Sequence, residues 1–113
     1  KAETIVLCSE NRFTQSKTHF CNYLPVKEKH NKLSPLHSLK TLAEQGITSV
    51  LVEGGQEVLR SYISENIIDQ IYIYTSPEKL DGASLKNPIQ LSDEWSIIKE
   101  EALGKDVSNM NFF

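Results

Sequence analysis

The stretch S-P-L-H-S-L-K-T-L-A-E-Q-G-I-T-S-V-L-V-E-G-G, residues Ser34 to Gly55, holds a helix entry, a helix stop, an apolar strand and a glycine break in direct succession. Ser34 before Pro35 is a helix entry: a serine oxygen accepts from an unpaired first-turn amide, and proline there loses no needed donor. Leu36, Leu39, Leu42 and Ala43 recur on one helical face, and Gly46 supplies a left-handed stop, so a helix is expected from about Pro35 to Gln45. Ile47 to Glu53 is a short apolar run, the pattern of a strand covered on both faces, and Gly54-Gly55 ends it.

Upstream, Thr4 to Cys8 (T-I-V-L-C) has the same covered-strand pattern, followed by the polar stretch Ser9 to Lys17. Thr18 to Val26 carries Phe20, Tyr23, Leu24 and Val26, but Asn22 and Pro25 interrupt it and reduce it to a short edge strand or extended loop. Lys27 to Lys32 (K-E-K-H-N-K) reads as a solvated connection in preference to a phosphate-binding patch. Downstream, Val58, Leu59, Tyr62 and Ile63 lie at helical spacing, in a segment ending near Glu65 or Asn66. Asp69 to Thr75 alternates Ile71 and Ile73 against Tyr72 and Tyr74, a half-buried strand. Pro77, Gly82 and Pro88 punctuate a loop, and Trp95 to Glu100 with Val107 to Phe113 read as a terminal antiparallel pair. Strands alternating with helices predict an α/β fold: a mostly parallel sheet with flanking helices, ligands outside the carboxyl ends of its strands, and antiparallel strands at the end.

The 113 residues make one domain's worth of chain. Twelve lysines and arginines against fifteen acidic residues give a net charge of −3, without the clustered positive charge that a nucleic acid backbone demands. No apolar run approaches the ~20 residues of a helical membrane span. Cys8 and Cys21, with no secretory leader and no N-x-S/T acceptor, point to reduced thiols and a cytoplasmic setting. The chain starts without Met and enters an apolar strand within a few residues of Lys1, so it is expected to be the later part of a longer domain.

Chemistry concentrates in V-L-V-E-G-G-Q-E-V-L, Val50 to Leu59. A strand delivers the chain to the surface, two glycines allow close backbone approach, and the free amides of the next helix start form an anion site. The structural alternative is a plain turn with a positive φ at one glycine. Glu53 would repel a phosphate if it faced the same way, so it is expected to accept hydrogen bonds from a second ligand or, alternatively, to cap the helix. Cys8, His19, Cys21, His30 and His37 lack the close pairing of a structural zinc site, and no metal is expected. Cys8 is expected as a small core residue, and His37 as solvent-facing. Asp69 is more readily a turn residue than a general acid. No G-x-S-x-G elbow is present to support hydrolysis.

The run L-x-x-L-A-E-Q-G-I-T-S-V-L-V-E-G-G, the following I-I-D-Q-I-Y-I-Y strand and the Pro77–Gly82 turn resemble the C-terminal reductase domain of bacterial bifunctional riboflavin biosynthesis proteins, in its later half. The resemblance implies a fold similar to dihydrofolate reductase and NADPH-dependent reduction of 5-amino-6-(5-phosphoribosylamino)uracil. It implies Glu53 as a substrate contact, and Gly54, Gly55, Gln56, Glu57, Val58, Leu59, Arg60 and Ser61 as the cofactor-binding turn and helix start. Gln56 and Glu57 stand where that family's turn often continues with a small residue, and Glu57 puts an acidic side chain in the first turn. No catalytic residue is assigned, and the H-x-E and P-C-x-x-C motifs of the family's deaminase half are not in these residues. The implied partner is a small phosphorylated pyrimidine, with no nucleic acid and no membrane, and the terminal strands leave room for a homodimer. Other readings are a non-catalytic α/β module retained for assembly, and a pteridine reductase of the same fold.

Overall fold

In a computed structural model, the described residues are 3–13, 20–76, 78, 81–82, 87, 89, 92–93, 95–103 and 107–112, with backbone alone for those from 99 onward. The chain divides into two compact units, Lys1–Glu53 and Gly54–Phe113.

In the first unit the apolar run at the amino end forms β1 (Ile5–Ser9), and the interrupted segment after it forms β2 (Asn22–Val26). The two pair in parallel, with Ile5 opposite Asn22 and Ser9 opposite Val26. Pro25 sits inside β2 and contributes no donor, which a strand tolerates where that edge is not needed for a further ladder. Val26, at 0% exposure, is the fully buried side chain of this unit, and Cys8 is half-buried with its thiol donating to Leu24 O at 3.6 Å. After β1, Ser9 Oγ accepts from Asn11 N at 3.2 Å and caps a single 3-10 turn, Glu10–Arg12.

Lys27 to Lys32, expected as a solvated connection, is exposed throughout and folds as a small antiparallel hairpin of β3 (Glu28–Lys29) and β4 (Lys32–Leu33). Its two-residue loop, His30 and Asn31, has φ of 53° and 59°. Positive φ at both central residues is the turn whose twist matches a hairpin. Ser34 N–H donates to Lys27 O at 2.9 Å, so the chain returns beside the point where it left β2.

Helix α1 (Pro35–Glu44) begins and ends where its local signals put it. His37 N–H donates to Ser34 Oγ at 3.3 Å, and Gly46 takes φ +81° just beyond the last turn. The face that packs is not the expected leucine face. The buried stripe is Pro35, Ser38 and Thr41, whereas Leu36 is 43% exposed, Ala43 is exposed, and Leu39 and Leu42 are half-buried. The small stripe lets α1 lie close on β2. Burying its hydroxyls is inexpensive because they are satisfied within the helix: Ser38 Oγ donates to Ser34 O at 2.8 Å, and Thr41 Oγ1 lies 3.4 Å from His37 Nδ1.

Ile47 to Glu53 is a second correction. Among the described residues it joins no ladder, and Val50 and Leu51 are 42% and 73% exposed. A strand covered on both faces needs a partner edge and a layer on each side, and β1 and β2 pair with each other without it.

The second unit holds α2 (Gln56–Ser64), which ends at Asn66 with φ 52°, and a three-stranded antiparallel sheet. Its strands are β5 (Tyr72–Thr75), β6 (Lys99–Leu103) and β7 (Val107–Phe112), in the order β5-β7-β6. Tyr72 faces Phe112 across β5–β7, and Lys99 faces Phe112 across β6–β7, whose register slips between Glu101 and Leu103. The alternation read in β5 is present: Ile71 just before it is 7% exposed and Ile73 is half-buried, while Tyr72 and Tyr74 are exposed. Gly82 has φ +73°, whereas Pro77 and Pro88 of the same loop lie outside the described residues. The architecture is mixed α/β, and among the described residues the parallel arrangement is confined to β1–β2. No helix among the described residues is long and apolar enough to cross a membrane.

Candidate functional site

Polar groups gather at two helix starts, one in each unit. At the start of α2, Gly55 is the N-cap with φ −68° and ψ 166°, and no side chain caps the helix. Val58 and Leu59 N–H both donate back to Gly55 O, at 3.0 and 3.2 Å, so the first turn is closed while its leading donors point out of the helix end. Such an end carries about half a unit of positive charge. Glu57 lies in this first turn, where it suits the helix dipole but opposes an anion. Arg60 counters it: with the Gln56 amide oxygen turned toward it, Gln56 accepts from Arg60 Nη1 at 3.1 Å, which holds the guanidinium beside the first turn.

The two glycines have separate reasons to lack a side chain, and neither reason is a left-handed φ, so the plain-turn alternative fails. A Cβ on Gly54 would fall 3.2 Å from Val58 Cβ, so this glycine serves packing against α2's own first turn. A Cβ on Gly55 would meet nothing within 4 Å. No described residue fills the space above Gly55, which leaves its backbone open to approach. Ser61 Oγ is spent inside the helix, donating to Val58 O at 2.7 Å, and Leu59 is half-buried. The start of α2 therefore offers Gly55, Gln56 and Arg60 outward.

Glu53 closes the first unit in an exposed, unladdered segment, and among the described residues its carboxylate has no partner. It does not cap α2, whose N-terminus takes no side-chain hydrogen bond. A carboxylate without a partner among the described residues is available to accept from a ligand's hydroxyl or N–H groups.

The second place is one that sequence reasoning passed over. A concavity of about 290 Å³ lies where β2 ends and α1 begins, lined by Lys27, Lys29, Lys40, His37, Ser34 and Glu28, with Leu36 beside them. Lys27 N–H donates to His37 Nδ1 at 3.3 Å, so the neutral ring carries its proton on Nε2. The sequence signal was K-E-K-H-N-K directly before a capped helix start, with His-Asn as the pair that turns the hairpin back.

The remaining candidates do not assemble. Cys8 and Cys21 are free thiols, Asp69 is exposed, and His19 lies outside the described residues. No group of three or more His, Cys, Asp or Glu among the described residues is placed to hold a metal ion.

The chain is 29% identical over 89 residues to the riboflavin biosynthesis protein RibD of Buchnera aphidicola subsp. Baizongia pistaciae (strain Bp). The match covers 73% of this chain but 24% of that relative. The family model of the RibD C-terminal domain matches residues 1–107, from β1 through the beginning of β7 and including the Glu53–Ser61 segment. The chain belongs to the RibD C-terminal domain family.

Proposed function

We propose that this chain forms part of an NADPH-dependent 5-amino-6-(5-phosphoribosylamino)uracil reductase of riboflavin biosynthesis, in which the two units belong to one dihydrofolate reductase-like domain. The observation that carries the reading is the uncapped, unobstructed start of α2: backbone donors end at a glycine whose missing side chain the protein does not use. Pyrophosphate oxygens are acceptors only, and need such donors with room for the backbone to approach. Family membership supports the same assignment.

In this reading Gly55 and Gln56 present amides to the cofactor's phosphates, and Arg60 adds a guanidinium that offsets Glu57. Gly54 keeps the turn tight against Val58, and Leu59 and Ser61 complete the helix turn that holds the donors in place. Glu53 accepts from substrate hydroxyl or N–H groups and stays off the phosphates, where like charge would repel it. When bound, NADPH supplies a hydride, and the protein's contribution is to fix donor and acceptor in register. These residues bind and orient; none is assigned the transfer of a proton.

The test is a Gly55→Val variant of the intact reductase titrated with NADPH. Because a Cβ at Gly55 meets no described atom within 4 Å, the variant is expected to fold normally and to lose NADPH affinity at least tenfold. Unchanged affinity refutes the assignment. The 113 residues alone are expected to give no turnover, and NADPH oxidation dependent on the pyrimidine substrate would overturn that part.

A further inference from the structure

We infer that Asp81–Gly82 is a site of spontaneous covalent modification, at which the aspartyl residue converts to its isoaspartyl isomer in the folded protein. This chemistry is independent of the reductase reading. Asp81 and Gly82 form the single Asp-Gly pair in the 113 residues, and no Asn-Gly pair is present. Both lie in an exposed turn between β5 and β6.

The conversion needs no enzyme and no co-reactant but water. The Gly82 backbone nitrogen attacks Cγ of the protonated Asp81 carboxyl. A C–N bond forms and a C–O bond breaks, the amide hydrogen and the carboxyl OH leave as water, and a cyclic succinimide closes. Water then adds to one of the two ring carbonyls and breaks its bond to nitrogen. Opening at Cγ restores aspartate. Opening at the α-carbonyl routes the main chain through Cβ and Cγ and frees the α-carboxylate. Nothing is oxidised or reduced, and mass and charge are conserved.

Three features of the turn suit this attack. A glycine has no side chain to shield its nitrogen, and a Cβ built on Gly82 would meet nothing within 4 Å. Neither the Asp81 carboxyl nor the Gly82 N–H has a partner among the described residues, so no hydrogen bond there holds the reacting groups apart. Exposure admits the water that opens the ring. Asp69 and Asp93 are exposed as well, but Gln70 and Glu94 follow them, and a side chain at that position crowds the attacking nitrogen. Gly82 is also required by the fold, because its φ of +73° strains any residue with a side chain. The turn therefore keeps the residue that makes its neighbour reactive. The added main-chain atom falls between Thr75, where β5 ends, and Lys99, where β6 begins, and enters no ladder.

The test is to age the 113-residue chain in warm neutral buffer and to label isoaspartate with a methyl group from S-adenosylmethionine, using an isoaspartyl methyltransferase. Electron-transfer fragmentation locates the label. Residue 81 is expected to carry at least tenfold more than Asp69 or Asp93, and to form it within threefold of the rate of the same chain in guanidinium chloride. Asp81→Glu keeps the charge but closes to a larger, slower-forming ring, and should lose at least tenfold of the label at an unchanged urea midpoint. The isoaspartyl fraction, separated by ion exchange, should keep the far-UV circular dichroism of the parent. Absence of isoaspartate at residue 81 in native buffer overturns the inference, whatever the denatured chain forms. Equal labelling at Asp69 or Asp93, or undiminished labelling of Asp81→Glu, overturns it as well.

Discussion

The glycine pair lends itself to a test by unfolding, because adjacent residues of identical chemistry are expected to respond oppositely to the same substitution. An alanine at Gly54 puts its Cβ 3.2 Å from Val58 Cβ and 3.4 Å from Val58 Cγ1. These atoms lie at the root of a β-branched side chain, where rotamer changes give little relief. Overpacking of this kind costs about 1–3 kcal/mol, and the reduced freedom of the unfolded chain returns about 0.4–1 kcal/mol. The net expectation for Gly54→Ala is a loss of about 1 kcal/mol, or a Tm lower by about 4 °C in a chain of this size. At Gly55 the new methyl meets nothing, so the same entropic gain is set only against the several tenths of a kcal/mol by which alanine is a poorer N-cap than glycine. Gly55→Ala should therefore stay within about 0.5 kcal/mol of the parent. Urea unfolding followed by far-UV circular dichroism measures both, and Val58→Ala in the Gly54→Ala background should recover most of the loss as a coupling energy. A Gly54→Ala protein as stable as the parent, or a Gly55→Ala protein less stable than Gly54→Ala, would refute the division of roles.

Three further outcomes are expected. Ser34→Ala removes the acceptor of His37 N–H and should destabilise the first unit by about 1 kcal/mol, read as a shift in the urea midpoint at constant m. Val26→Ala truncates a fully buried side chain at the end of β2 and should cost about 2 kcal/mol or more, which thermal unfolding would show; a loss below ~0.5 kcal/mol would contradict the burial. His30→Asn with Asn31→Gly gives the hairpin loop the residues its left-handed backbone favours, and should raise stability by about 0.5–1 kcal/mol while sharpening hydrogen-exchange protection at Ser34.

Where a local group completes a local hydrogen bond, the chain was legible. Ser34, Pro35 and Gly46 bound α1 because an N-cap, a donorless first residue and a left-handed stop act within one turn. The alternation of Ile71, Tyr72, Ile73 and Tyr74 was equally plain, since a half-buried strand writes its two faces directly into the order of residues. The packing face of α1 was not legible. Leucines mark an apolar face, but close approach to β2 favours Pro35, Ser38 and Thr41, whose hydroxyls are satisfied at home. Nor was the fate of Ile47–Glu53, because a strand pattern states a preference and only a partner edge makes a ladder. At the candidate site, G-G announced close backbone approach, but which glycine served packing and which left open space is a matter of one contact with Val58. The lysine-rich hairpin was missed because its turn uses His-Asn in place of a glycine pair, and charged residues in series read as solvated chain.

The hydrogen bond from Ser34 N–H to Lys27 O has a consequence for how this protein tolerates change. It stitches shut the mouth of the excursion between them, so β2 and α1 are spliced as though the intervening six residues were a removable cassette. Lengthening such a detour twofold costs only about 0.6 kcal/mol in closure entropy. Engineered variants are free to resize and re-charge it while the elements on either flank keep their places.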